Sequence, residues 1–314
     1  MSTNDPSDSR SALWEQVASA MLQGAASVGE FRIPGGPNSR LAHWEPGEPT
    51  LRWFKSYLQL AAGTTPLPER QLLALVGDTN LGNPICVAAQ VDGGDEEVVS
   101  YNLDYLYSAE EVAFLIRNLD PDSMTSICEL GAGFGRTAHT LLKTQSTIES
   151  YTIVDLPETL SLSRTYLKAA LEPDLYDKLA FVEAARFRAC VHEVDLFVQI
   201  DGFQEMDVEV IDTYYEALVC QAKRVYICNP VGKYQPEVAG VSGLNPDGYE
   251  VARSLGRTRV LVDPWDEISL RLARPQHILN YCPDGYREAS SKPSRLRPYY
   301  LHALYERDDQ SADR

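Results

Sequence analysis

The stretch Ile127-Cys128-Glu129-Leu130-Gly131-Ala132-Gly133-Phe134-Gly135-Arg136 constrains this chain more than any other. A short apolar run enters three glycines at alternate positions and then a helical pattern through Leu142. Glycine tolerates positive φ and lets a backbone approach a ligand closely. The helix that follows presents unpaired amides at its N-terminus. The pattern therefore predicts a strand–turn–helix that cradles a ligand. A dinucleotide fingerprint, G-x-G-x-x-G, would place its third glycine at position 136. Arg136 stands there instead, with glycine at 135. Glu129 also lies two residues before the first glycine, where an anion opposes a pyrophosphate.

The surrounding chain alternates strand and helix. Strands are predicted at Ser126–Leu130, Tyr151–Val154, Leu179–Val182, Leu196–Ile200 and Arg224–Cys228. Helices are predicted after the glycines, at Glu158–Leu171 and at Val208–Val219. This spacing implies βαβ units and a parallel sheet covered on both faces. Later runs at Val260–Val262, Glu267–Leu272 and Tyr299–Tyr305 read as strands and predict an antiparallel edge. Before the core, apolar periodicity predicts helices at 13–28, 51–58 and 69–76, with a Gly/Pro-rich loop over 34–49. Val87–Val91 and Val98–Tyr101 read as strands around Asp92-Gly93-Gly94. Ser108-Ala109-Glu110-Glu111 has the form of a capping box. The expected fold class is α/β, divided into disordered tails at 1–10 and 309–314, a mostly helical N-terminal or lid domain at 11–107, and a Rossmann-like domain at 108–308.

Composition narrows the partners. Twenty-eight basic residues against 45 acidic ones give a net charge of −17. Such a surface repels nucleic acid and anionic lipid. No apolar run approaches the ~18 residues of a membrane span. The six cysteines form no CxxC pair and no zinc spacing with histidine, so they read as small buried hydrophobes. The first ten residues lack the basic and apolar regions of a secretory signal. A cytoplasmic protein acting on a small-molecule acceptor, with a homodimer as the candidate assembly, is expected.

Asp155 ends the second strand, 20 residues past Gly135. A carboxylate there can accept hydrogen bonds from ribose hydroxyls, as in NAD enzymes too. Glu129 chooses between cofactors: it suits the ammonium and sulfonium of S-adenosyl-L-methionine. The order Glu129-Leu-Gly-Ala-Gly-Phe-Gly followed by Val154-Asp155-Leu156-Pro157-Glu158-Thr159-Leu160 resembles class I S-adenosylmethionine-dependent methyltransferases. More narrowly it is similar to the sugar O-methyltransferase family of bacterial natural-product pathways. That family tends to carry the Asp-Leu-Pro-Glu-Thr-Leu run and a Phe-x-Glu-Met run, here Phe203-Gln204-Glu205-Met206. The likeness covers about residues 80–235. It departs at Asp201-Gly202, where the family often has Asn-Ser. The resemblance implies a Rossmann-like class I methyltransferase sheet with a mostly helical N-terminal extension. It implies a cofactor pocket of Tyr105, Glu129, Gly131, Ala132, Gly133, Gly135, Asp155, Leu156 and Asp201, with the Tyr101–Tyr107 segment closing over it.

Methyl transfer to a hydroxyl needs alignment, exclusion of water and a base. The residues just after the strands are the candidates. Asp201, Glu205 and His277 are the candidate bases; Asn229, Lys233 and Tyr234 follow the fifth strand. Each has a plainer role: Glu205 as a helix N-terminal carboxylate, Asp201 as a loop or methionine holder, His277 as packing. Asp201, Glu205 and Asp207 also offer oxygen ligands for magnesium, although close carboxylates are common in so acidic a chain and no metal site is expected. His139 reads as packing or surface and His192 as solvated. Loop 231–259 reads as a substrate lid. The expected function is O-methylation of a sugar hydroxyl on a small metabolite or natural product. N- or C-methylation, an NAD(P)-dependent oxidoreductase and a non-catalytic S-adenosylmethionine-binding protein remain as alternatives.

Overall fold

The structure is a computed structural model and describes residues 57–90, 98–190, 193–234 and 246–308. Outside the described residues lie both expected tails, the helix at 13–28, most of that at 51–58, the loop at 34–49, the turn at 92–94, His192 and much of loop 231–259.

Helix α1 (Leu67–Val76) starts with Pro68 in its first turn and buries Leu72 and Val76. Strands β1 (Cys86–Gln90) and β2 (Val98–Asn102) form the expected antiparallel pair, with Val87 opposite Tyr101. Helix α2 (Leu103–Asn118) follows at once. Its cap is Asn102, whose side chain accepts from the Asp104 amide. The capping box expected at Ser108–Glu111 is therefore corrected. Leu103, Leu106 and Tyr107 bury against Leu58, Ala89 and Tyr101, which carries the helix back past Ser108. Ser108 sits mid-helix and donates to Thr140 Oγ1 at 2.8 Å.

The core then alternates as predicted: β3 (Ser126–Leu130), α3 (Arg136–Thr144), β4 (Ser150–Asp155), α4 (Pro157–Ala170), β5 (Leu179–Glu183), β6 (Val194–Ile200), α5 (Val208–Ala217) and β7 (Ala222–Pro230). Next come β8 (Lys233–Tyr234), α6 (Pro246–Ser254), β9 (Leu261–Val262), α7 (Glu267–Tyr281), β10 (Tyr286–Pro293) and β11 (Tyr300–Arg307). Residues 267–272, expected as a strand, are helical. Asp266 caps them by accepting from the Ile268 and Ser269 amides. The apolar alternation in Ile268-Ser-Leu270-Arg-Leu272 mimics a strand, but the buried positions Leu270, Ala273, His277 and Tyr281 recur every three or four residues. Pro275 is tolerated inside the helix.

The main sheet runs β10-β11-β7-β6-β3-β4-β5. β3 pairs in parallel with β4 and β6, β4 with β5, and β6 with β7. β11 joins β7 antiparallel and β10 joins β11 antiparallel, so the sheet has an antiparallel edge. Of the three runs expected there, only Tyr299–Tyr305 contributes: β9 pairs in parallel with β8 outside the main sheet, and β10 is not among the expected runs. This is the Rossmann-like, mostly parallel sheet anticipated from the sequence. The strands alternate between two cores. Ile127, Ile153, Leu196, Val198 and Tyr226 face one, with α2, α3 and α4. Cys128, Val154, Phe197, Val225 and Ile227 face the other, with α5. Leu196, Phe197 and Val198 are fully buried, each worth roughly 1.5–3 kcal/mol of burial. After β3 the chain builds outward to β5, then returns to place β6 on the other side of β3. The carboxyl ends of β3 and β6 therefore flank a topological switch point, where ligands bind in open α/β sheets.

Of the cysteines, Cys128 and Cys228 are buried as expected, whereas Cys86 is exposed. No helix among the described residues is long and apolar enough to cross a membrane.

Candidate functional site

The loop leaving β3 uses glycine for conformational reasons. Gly131, Gly133 and Gly135 have φ of 75°, 60° and 94°. A Cβ on Gly135 would lie 2.7 Å from Leu167 Cδ1. A Cβ on Gly131 would meet nothing within 4 Å, so Gly131 faces open space. The loop is pinned by backbone bonds: Gly131 N donates to Val154 O at 2.9 Å, and Gly133 N to Asp155 Oδ2 at 3.1 Å. Leu156 N donates to Asp155 Oδ1 at 2.7 Å. Asp155 thus joins the glycine loop to the start of α4. Ala132 and Leu156 are half-buried beside it.

Two buried carboxylates define the electrostatics. Glu129 is 2% exposed, and its Oε2 accepts from the Tyr151 hydroxyl at 2.7 Å. Burial pushes Glu129 up to about 7, and burial does the same to Asp155. A ligand bringing positive charge would stabilise the ionised forms, whereas a pyrophosphate would oppose them. S-adenosylmethionine fits this donor set and the open space at Gly131.

Asp201 stands on the other side of the switch point, directly after β6. It adopts φ 67°, a left-handed conformation unusual for a non-glycine residue. Its amide donates to Cys228 O at 3.0 Å, and its Oδ1 accepts from the Tyr300 hydroxyl at 2.9 Å. Non-glycine residues held in this region gather at functional sites. Glu205 ends the short 3-10 turn Gly202–Glu205 and is half-buried. Lys233 donates from Nζ to Gln204 O at 2.8 Å. Burial lowers Lys233 to about 8 against the opposing pull of Glu205 and Asp201. Tyr234 and Tyr299 meet edge to face with centroids 5.4 Å apart. Asn229 is buried, its side-chain amide 2.8 Å from that of Gln199. The structure thus brings Asp201, Glu205 and Lys233 together, with tyrosines beside them.

Two expected site residues are placed elsewhere. His277 is fully buried on α7 against Tyr281, with Thr258 Oγ1 3.4 Å from its Nδ1. Burial lowers its pKa to about 3. A group so reluctant to take a proton does not suit general-base work near neutrality, so the base expectation is corrected to packing. Tyr105 does not close over the pocket as a lid. It is fully buried, its hydroxyl 2.5 Å from His139 Nδ1 and 2.6 Å from the Tyr166 hydroxyl, and so it ties α2 to α3 and α4. His139 is buried as packing. Among the described residues, no three His, Cys, Asp or Glu side chains gather as metal ligands, Asp201, Glu205 and Asp207 included.

Sequence reading missed the segment joining β10 to β11. Arg297 lies 3.8 Å over the Tyr300 ring and 4.4 Å over the Tyr107 ring. Its Nη2 donates to Glu111 Oε1 at 3.1 Å. Arg136 Nη2 donates to the same oxygen at 2.8 Å, and Arg136 Nη1 to Asp104 O at 3.1 Å. Glu111 therefore links the first residue of α3 to the segment that positions Tyr300. The available signal was Arg295-Leu-Arg297-Pro-Tyr299-Tyr300, two arginines and two tyrosines in an acidic chain.

No family model matches the chain, and no curated protein matches it either. Several solved structures are similar to it at low identity. The glycopeptide N-methyltransferase MtfA complexed with S-adenosyl-L-methionine is 14% identical, with a TM-score of 0.41 over 63% of this chain and 86% of that one. The mitomycin 7-O-methyltransferase MmcR is 11% identical, with a TM-score of 0.45 over 86% and 75%. The methyltransferase domain of bacterial CtHen1 is 15% identical, with a TM-score of 0.43 over 63% and 97%.

Proposed function

We propose that this chain is an S-adenosylmethionine-dependent O-methyltransferase acting on a sugar hydroxyl of a small metabolite or natural product. The observation that carries the reading is the switch point between β3 and β6: a positive-φ glycine loop with buried Glu129 and Asp155 on one side, and Asp201 on the other. When bound, the sulfonium supplies an electrophilic methyl group. Gly131, Ala132 and Gly133 hold the backbone at contact distance. Asp155 offers its remaining lone pairs to ribose hydroxyls, and Leu156 packs beside the adenosine. Asp201 takes the proton of the acceptor hydroxyl, with Tyr300 fixing its carboxylate. Aromatic faces next to carboxylates suit a sugar ring, which has apolar C–H faces and hydroxyl donors.

Calorimetric titration with S-adenosylhomocysteine, beside NADH and NADPH, tests the cofactor. Binding of the homocysteine compound alone is the expected result; binding of a nicotinamide cofactor alone overturns the reading. Incubation with labelled S-adenosylmethionine and a panel of glycosylated acceptors, amines and phenols then tests the acceptor. Label recovered on a sugar oxygen supports the proposal, and label confined to nitrogen or carbon replaces it.

A further inference from the structure

Helix α7 is apolar on two opposite faces. Its inner face buries Leu270, Ala273, His277 and Tyr281, with Leu270 and Ala273 packed among Val231, Val262 and Leu301. Its outer face carries Ile268, Leu272 and Leu279, which are 60%, 73% and 69% exposed, and the exposed Pro275. At 3.6 residues per turn these four fall within about 60° of one another, roughly opposite the buried set. A surface helix needs one apolar stripe, and its other side is ordinarily polar. The patch continues into the strand and turn before the helix, where Val260, Leu261 and Trp265 are also exposed. Ten large apolar side chains are exposed among the described residues, and six of them lie between Val260 and Leu279. Single exposures scattered over a surface are ordinary, whereas a contiguous patch marks an interaction site.

The pattern of the stripe selects the occupant. The steps from Ile268 to Leu272, Pro275 and Leu279 are four, three and four residues. This is the alternation of core positions in a two-helix seam, and it is the same read in either direction. Two copies of α7 laid antiparallel therefore bring identical stripes together, Ile268 against Leu279 of the partner subunit and Leu272 against Pro275 of the partner subunit. Charge permits the contact in a chain of net charge −17, whose surface otherwise repels its own copies. α7 holds one acidic residue, Glu267, and Arg274 donates to both of its oxygens at 2.9 and 3.2 Å. Arg271 is the charge left over, and it is basic. Ser269, Gln276 and Asn280, on the other border of the stripe, are neutral. Two acidic chains thus meet here without opposing carboxylates, and the helix dipoles run in opposite directions. We propose that this face is a two-fold interface between copies of this chain, centred on α7 packed antiparallel against the same helix of the partner. The seam from Ile268 to Leu279 runs about 16 Å. Val260, Leu261 and Trp265 widen it toward the roughly 800 Å² per subunit that a stable interface buries.

Sedimentation equilibrium of the full chain reads the assembly. Wild type is expected at twice the protomer mass at micromolar concentration. Leu272 is exposed in the protomer, so Leu272→Glu is expected to keep the wild-type circular dichroism spectrum while weakening dimerisation roughly 100- to 1,000-fold. Cysteine pairs read the register without relying on that variant. In a Cys86→Ser background, which removes an exposed thiol, Ile268→Cys and Leu279→Cys protomers are mixed and oxidised. The mixture is expected to yield a disulfide-linked dimer. Either variant alone holds its two thiols about 16 Å apart along the seam and is expected to yield none. A monomeric wild type overturns the proposal and leaves the stripe to residues 1–56 of the chain or to a different protein. A dimer that Leu272→Glu leaves intact overturns it as well, because the assembly then lies elsewhere. Linking of Ile268→Cys to itself overturns the antiparallel register.

Discussion

The two sides of the β3–β6 cleft are built by opposite means. On the β3 side, recognition is written into backbone: three positive-φ glycines, pinned by Asp155 and Val154 within about 25 residues of chain. On the β6 side it is written into side chains from scattered segments: Asp201, Glu205, Lys233 and Tyr300, the last 99 residues from the Asp201 it contacts. The strained residues differ in kind as well. Positive φ falls on glycine beside β3 and on an aspartate after β6. A backbone site tolerates few substitutions but needs little from distant packing. A side-chain site can change specificity, yet depends on the tertiary frame that gathers it.

Asp201→Asn should have the largest effect. Loss of the base is expected to slow methyl transfer to a hydroxyl acceptor roughly 10²- to 10⁴-fold, with S-adenosylhomocysteine affinity unchanged. Initial rates beside calorimetry check this, and loss of cofactor binding would show that the two sides do not divide the work. Gly135→Ala should act on the β3 side and on the fold together. The left-handed backbone and the crowding of Leu167 are expected to cost about 2–4 kcal/mol, read as a lowered denaturation midpoint with weakened S-adenosylhomocysteine binding.

Asp155→Ala releases the Gly133 and Leu156 amides and removes the proposed ribose acceptor. A loss of roughly 10- to 100-fold in S-adenosylhomocysteine affinity is expected, and an unchanged affinity would place the ribose elsewhere. The pH response sharpens the comparison further. Burial pushes Glu129 and Asp155 up to about 7, well above the ordinary carboxylate range. The folded state therefore binds more protons between about 4 and 7, and ligand-free stability falls as pH rises through that window. Binding of the ammonium-bearing ligand prefers ionised Glu129. Its affinity should rise roughly threefold to tenfold from pH 6 to pH 8, and Glu129→Gln should flatten the rise. The smallest change in stability is expected from Asp201→Gly. Relief of the left-handed backbone contributes about 1 kcal/mol and loss of the Tyr300 bond costs about as much. Net stability should stay within about 1 kcal/mol of wild type while turnover is lost, the mirror image of Gly135→Ala.

What was legible in sequence follows the same division. Each strand of the parallel core was visible because buried apolar runs and glycine punctuation are local signals, and β3 was placed without error at Ser126–Leu130. Asp155 was found by its distance from the glycines along a βαβ unit. The helix at 267–281 was misread because six residues of alternating polarity outweigh a helical period that only emerges over fifteen. The Ser108 box was misread because its chemistry is correct but the apolar residues before it extend the helix. Tyr105 and His277 failed for one reason: a polar aromatic can serve a pocket or satisfy the core, and residue type alone does not say which.

By itself the sequence determined the alternation of elements, the glycine loop and the carboxylates at the ends of β3 and β4, since each depends on neighbours within a few tens of residues. Only the tertiary structure decided what stands opposite them. Burial set the protonation of Glu129 and Asp155, withdrew Tyr105 and His277 into the core, and brought Arg297 and Tyr300 onto Glu111 and Asp201. Those outcomes depend on long-range packing and on the loss of water around charge, which no local pattern encodes.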